Sequence, residues 1–214
     1  MIIRKYGLEL RRLKVEDIEL VRRMRNLSRI REKMFYQKEI SISEQKAWFD
    51  KINNEKHYYF IIYKDQQPLG LIHGIVVSFE QRIAEGGIFM WDENSDSLIP
   101  CIASIIMADL TFGIMNMNKT IADVRAENKI ALNYNRQLGY VKVNHNLEEQ
   151  KVTMELNKEN YFKQSKKIKK AIHILTGDKE DLEWKDIELS GSDYESWFKD
   201  LPEYLKSQID KMLF

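Results

Sequence analysis

Apolar and polar residues alternate along GLELRRL (7–13), the pattern of a strand with one face buried. The next stretch, VEDIELVRRMRN, changes period. Val15, Ile18, Val21 and Met24 or Leu20 recur at helical spacing behind Glu16 and Asp17, which suit a first turn. SEQKAWFDKI predicts a second helix opening at Ser43 and ending at Asn53–Asn54. Three strand-like runs follow, HYYFIIYKD, LGLIHGIVVSFE and RIAEGGIFMW, with Asp65–Pro68 as the turn of a hairpin between the first two. From Leu98 to Met115 the chain is apolar nearly all round, as in a helix laid on a sheet. TIADVRAE reads as a strand and KIALNYNRQL as a helix capped by Asn128 and stopped by Gly139. YVKVNHN and KVTMELN read as a closing hairpin.

The character changes after Asn160. YFKQSKKIKKAIHILTG predicts one basic amphipathic helix, and GDKEDLEWKDIELSGSD an acidic, turn-rich connector. The final segment sets Trp197, Leu201, Leu205, Ile209 and Met212 on one stripe, with Pro202 closing one short helix and opening the next. Residues 1–160 are therefore expected to form the main domain and 161–214 a C-terminal helical appendage. The stripe must dock on its own domain or on a second copy; a docking that forms or borders a homodimer is expected.

Composition narrows the field. Charged residues make up 31% of the 214, yet the formal net charge is +1, so no global field draws in nucleic acid. No apolar run is long enough to span a membrane, and the N-terminus lacks a signal peptide's apolar core. The single cysteine, Cys101, excludes an internal disulfide and fits a reducing compartment. The expectation is a cytoplasmic protein, and the Lys, Asn and Ile content suggests a bacterial one. Cys101 sits among Ile99, Ile102 and Ile105, where a free cysteine is usually a small core residue. His57, His73, His145 and His173 show no metal-ligand spacing, so no metal is expected.

RAENKIALNYNRQLGY carries an Asn, a short spacer, an Ala and a helix ending in Leu-Gly-aromatic, at Asn128, Ala131, Leu138, Gly139 and Tyr140. With MRN (24–26), SISEQKAWFDKI, YYFIIYKDQQPLGLI and AEGGIFM upstream, residues 7–157 resemble the GNAT (Gcn5-related N-acetyltransferase) superfamily. The similarity is to its subgroup of ribosomal-protein and nucleotide-amino-sugar acetyltransferases. The resemblance implies an α/β (α+β) fold, a mixed, mostly antiparallel sheet with helices on both faces. It also implies acetyl transfer from acetyl-CoA to a primary amine.

The acceptor implied is a small-molecule amine, first a nucleotide-linked amino sugar and second a protein N-terminus. A non-catalytic GNAT-like module with a degenerate CoA loop is the alternative of a different class. Acetyl-CoA would lie against the strand at Ile88, Phe89 and Met90, the junction at Ser95 and Ser97, and the helix at Asn128 and Asn135. Paired glycines, Gly86 and Gly87, permit either a bulge or close approach of a ligand. Glu85, an acid in an apolar strand, is the candidate general base, with an ion pair to Arg82 or Arg125 as its structural alternative. Arg25, Asn26, Trp48 and His73 are candidate acceptor contacts, with Arg29, Arg31, Phe35 and Tyr36 nearby.

Two departures from the family pattern stand out. WDENSDSLIPCI (91–102) lacks the glycine-rich loop that cradles a diphosphate; Asp96 or Ser97 can cap the helix instead, and Pro100 removes an amide donor. Asn135 stands where the family often places the tyrosine that protonates the leaving thiolate. Asn can donate a hydrogen bond but no proton. Tyr134, one position away, is turned by about 100° on the helix and is expected to face the core.

Overall fold

The computed structural model describes residues 1–92 and 96–213, with side chains through Ile209. β1 (Ile2–Lys5) and β2 (Leu8–Arg12) form an antiparallel hairpin whose turn residues, Tyr6 and Gly7, both have positive φ. β2 is the strand expected at 7–13. β1 lies outside the expected elements: four residues are too few for alternation to show.

A 3-10 turn at Val15–Asp17 leads into α1 (Ile18–Asn26), which leaves Val15 exposed outside the helical stripe. α2 (Ser28–Arg31) is a single turn. α3 (Ile42–Ile52) starts ahead of the expected Ser43 because Ser41 and Glu44 make a reciprocal capping box.

β3 (His57–Lys64), β4 (Gln67–Ser78) and β5 (Ile83–Met90) form an antiparallel meander, and the β3–β4 turn takes positive φ at Asp65 and Gln66. α4 (Leu98–Asp109) widens into a π-helical turn at Leu110–Ile114. β6 (Lys119–Arg125), α5 (Lys129–Leu138), β7 (Val141–Asn146) and β8 (Lys151–Asn157) follow as expected. Asn128 accepts from the Ala131 amide and Gly139 closes α5 at φ 100°.

Beyond 157 the expected single basic helix is two: α6 (Lys158–Gln164) and α7 (Lys166–Thr176), parted at Ser165. The acidic connector contributes β9 (Ile187–Glu188), a short edge strand on β1. α8 (Gly191–Ser196) and α9 (Glu203–Leu213) complete the chain, with the Leu205 amide donating to the Pro202 carbonyl at 2.9 Å as α9 begins.

The strands form one sheet in the order β7-β8-β6-β5-β4-β3-β2-β1-β9. Every neighbouring pair is antiparallel except β5 with β6. Alternation along the strands sends Phe60, Ile62 and Ile72 to one face, against α4, and Tyr59, Ile61 and Leu71 to the other, against α1–α3. Trp197, Phe198, Leu201, Leu205 and Ile209 are buried in the α4-side core together with Ile3, Leu10 and Phe60. Of the two docking sites open to that stripe, the chain's own sheet is occupied. Each such side chain contributes about 1.5–3 kcal/mol on burial. Met212 has no described side chain.

A polar seam joins α4 to this C-terminal layer. Asp109 accepts hydrogen bonds from the Tyr161 hydroxyl (2.8 Å) and the Lys169 ammonium (2.6 Å), and Lys169 also reaches Asp181 at 2.7 Å.

Candidate active site

β5 and β6 pair only at Ile83–Lys119, Ala84–Thr120 and Glu85–Ile121, although both strands run on. Past Glu85 they part. The Trp91 amide donates to the Leu69 carbonyl (2.9 Å), which fixes which β5 amides face β4. In an antiparallel ladder this direction alternates. The amides of Ile88 and Met90 therefore point away from β4, into the gap left by β6. A cavity of about 670 Å³ fills that gap and reaches both faces of the sheet.

The paired glycines have a specific local cause. The β4–β5 register runs without interruption through His73–Gly87 and Gly74–Gly86, and shifts only near Val76–Ser78. There is no bulge at the glycines. A Cβ on Gly87 would come within 2.7 Å of the His73 ring. What Gly87 admits is the imidazole of the neighbouring strand.

On the α1–α3 face the cavity wall carries Glu85, His73 and Asp123. Burial raises the Glu85 carboxyl above the usual range, the charge of Asp123 adds to this, and Lys151 opposes it. Neither cation expected as a structural partner reaches Glu85. Arg82 lies over the Tyr204 ring at 5.0 Å, and Arg125 bonds Glu127 (2.8 Å) and the Met34 carbonyl (3.0 Å). His73 stacks on Tyr59 with centroids 4.8 Å apart, and Trp48 meets Tyr59 edge-on at 5.2 Å. Burial lowers the His73 pKa to about 4, so the imidazole is neutral at pH 7. It is a shape and stacking element, not a charge.

On the opposite face α4 and α5 supply Ser104, Thr111, Asn128, Tyr134 and Asn135, and Tyr140 and Thr120 close the wall below them. Tyr134 borders this cavity instead of lying wholly in the core. Its hydroxyl donates to the Cys101 carbonyl at 3.2 Å. Burial pushes the Cys101 thiol up, away from reactive thiolate character.

The N-terminus of α4 is engaged by its own chain. Asp96 accepts from the Leu98 amide through its side chain and from the Ile99 amide through its carbonyl, both at 2.9 Å, and Pro100 has no amide to offer. Ser97 is exposed, makes no cap bond and lies off the cavity wall. Ser95 lies outside the described residues.

Of the sequence-derived residues, the fold gathers His73, Glu85, Ile88, Phe89, Met90, Asn128 and Asn135 around one cavity. Arg25, Asn26 and Trp48 are off its wall. Arg25 donates to the Tyr36 carbonyl (2.8 Å), and both ends of the Asn26 amide bond the Ile40 backbone (2.8 and 2.9 Å), fastening the 37–40 loop to α1. Asp123 and Tyr140 are wall residues that sequence reasoning did not assign a role. The alternation of TIADVR places Asp123 on the Glu85 face only once the β5–β6 register is known.

No family model matches the sequence, and no curated protein matches it. Solved structures do. A spermidine N-acetyltransferase from Vibrio cholerae in complex with CoA and spermine superposes with a TM-score of 0.68 at 22% identity, over 74% of this chain and 99% of that one. Mutant forms of the spermidine/spermine N-acetyltransferase SpeG from the same organism give 0.63 at 22%, over 76% and 100%. A dodecameric structure of the spermidine N-acetyltransferase in an intermediate state, also from Vibrio cholerae, gives 0.62 at 20%, over 76% and 100%. This likeness establishes a GNAT-like fold: a mixed, mostly antiparallel sheet with helices on both faces.

Proposed function

We propose that this chain is an acetyl-CoA-dependent N-acetyltransferase acting on the primary amine of a small molecule. The observation that carries the reading is the parting of β5 from β6 immediately beyond a carboxylate that no cation contacts among the described residues. It leaves strand amides facing a cavity open to both sides of the sheet. A thioester donor entering on the α4–α5 side would be held by the Ile88 and Met90 amides. An amine entering on the other side would meet Glu85, whose raised pKa suits a base that must accept a proton near neutral pH. Acetyl-CoA supplies the activated acyl group. The residues fit its pantetheine arm; the α4 N-terminus, with its first amides engaged by Asp96, does not offer the usual diphosphate cradle.

The similar solved enzymes act on polyamines, which makes a polyamine the first acceptor to test. A nucleotide-linked amino sugar stays as a second reading because Arg29, Lys33 and Arg125 border the same cavity and could meet a phosphate. The test is release of free CoA thiol from acetyl-CoA with spermidine, spermine, nucleotide-linked amino sugars and peptides, alongside calorimetry of acetyl-CoA alone. Turnover with one class names the acceptor. Absence of acetyl-CoA binding up to millimolar would instead leave a GNAT-like module that performs no acyl transfer.

A further inference from the structure

The reaction needs a group to receive the departing sulfur, and Asn135 cannot supply a proton. Three phenols lie near the α4–α5 side of the cavity. Tyr134 has committed its hydroxyl to the Cys101 carbonyl. Tyr58 is fully buried off the wall, over Gly74, with its hydroxyl 3.5 Å from that of Thr111. Tyr140 lines the cavity beside Thr120 and packs against the α4-side core.

Thr120 is the residue that locates Tyr140 in the chemistry. It pairs with Ala84 at the last rungs before β5 and β6 part, one position from Glu85. Successive residues of a strand face opposite sides. Glu85 therefore stands on one side of the parting point, and Thr120 with the Tyr140 phenol on the other. An amine arriving from the first side and a thioester from the second place a base and a hydroxyl on opposite sides of one carbonyl carbon.

We propose that the Tyr140 hydroxyl donates a hydrogen bond to the departing CoA sulfur, the part the family pattern gives to a tyrosine at position 135. This inference rests on the acetyltransferase reading above. The amine nitrogen bonds to the thioester carbon as its proton passes to the Glu85 carboxylate. The C–S bond breaks, and its electron pair leaves on sulfur. The thiolate is held by the Tyr140 O–H until it takes the proton that Glu85 returns through solvent. The phenol keeps its own proton: burial raises its pKa to about 12, above the roughly 8.5 of a thiol. A thiolate is a tolerable leaving group, so a hydrogen bond suffices.

Tyr140→Phe keeps the ring and removes only the donor. With acetyl-CoA and whichever panel amine the wild type turns over, kcat should fall by about ten- to a hundredfold, the worth of a hydrogen bond to a charged group, with KM for acetyl-CoA nearly unchanged. With an aryl thioacetate, whose thiolate leaves without help, the loss should shrink to within about twofold. Acceptor-free titration of bound CoA by thiolate absorbance should give a lower thiol pKa in the wild type than in Tyr140→Phe. Equal CoA titration curves for wild type and Tyr140→Phe would overturn the assignment, as would an equal rate loss with both donors. A wild type that binds no CoA at all would sink the acetyltransferase reading itself, a result distinct from either.

Discussion

Asp109 and Glu85 are both carboxylates withdrawn from water, and burial raises both pKa values, yet their surroundings differ in kind. Asp109 lies in a closed seam between α4 and the C-terminal helices, where Lys169 and Tyr161 bond one of its oxygens and pull its pKa back. Glu85 borders an open cavity, where its strongest charged neighbour is another acid and no cation among the described residues makes contact. A buried acid paired with a cation of its own chain, even with its second oxygen unpartnered among the described residues, serves the fold. One left without a cation, facing space that a ligand could enter, is the arrangement the proposed base requires.

The contrast breaks most sharply on removing the Glu85 charge. Glu85→Gln should slow acetyl transfer by about 10²–10⁴ while leaving CoA binding intact, as read by calorimetry and steady-state rates. An unchanged rate at pH 7 would assign Glu85 to structure. The same variant should melt at a slightly higher temperature than wild type at pH 7. The folded-state pKa of Glu85 lies above its unfolded value, so the folded state holds that proton more tightly. The stability this lends is present below about pH 4.3 and is lost as pH rises through the folded value. At pH 7 the charged carboxylate is thus a cost that Gln lacks, and the difference in melting temperature should vanish near pH 4.

Asp109 should respond in the opposite sense. Lys169→Met leaves a buried carboxylate without its cation, and breaking such a pair costs about 3–5 kcal/mol. Denaturant unfolding should show this loss, with the rate per folded molecule kept. Replacing both partners, Lys169→Met with Asp109→Leu, should recover much of it. If Lys169→Met is as stable as wild type, the seam contributes nothing and the contrast with Glu85 fails.

The parts of the fold legible in the sequence are those with long, strict periods. α4 is legible because it is apolar all round, β3 and β4 because their turn is marked, and α5 because Asn128 and Gly139 bracket it. β1, α2 and β9 are too short to show a period. The break at Ser165 has no proline or glycine to announce it. At the site, Glu85 can be singled out because an acid is conspicuous in IAEGGIFM. The true use of Gly87 cannot, because it depends on which residue of β4 lies opposite. Arg25 and Asn26 have the chemistry of ligand contacts, but in the folded chain Asn26 spends it on the Ile40 backbone and Arg25 gives Nη2 to the Tyr36 carbonyl, its buried Nη1 having no partner among the described residues.

The smallest expected effect tests how the cavity holds Glu85 in its state. Asp123 sits on β6 on the same face as Glu85, accepts a hydrogen bond from the Thr153 hydroxyl (2.7 Å) and is 3.4 Å from the Lys151 ammonium. Its charge raises the Glu85 pKa, and that of Lys151 lowers it. Asp123→Asn removes the raising charge and leaves the lowering charge of Lys151, still paired with Glu149 at 2.9 Å, so the Glu85 pKa should fall. The rate of a base-catalysed step rises with pH as the base loses its proton, so the acid limb of kcat/KM should move to lower pH. Asp123 is about one-third exposed, and water and salt screen its field. The gain on that limb should be about two- to fivefold, shrinking as ionic strength rises, with the plateau rate near neutral pH little changed. A limb that stays in place at low salt would show that burial alone sets the Glu85 pKa. A limb that moves to higher pH would show that Asp123 was acting through Lys151, by holding that cation near Glu85, and not through its own charge.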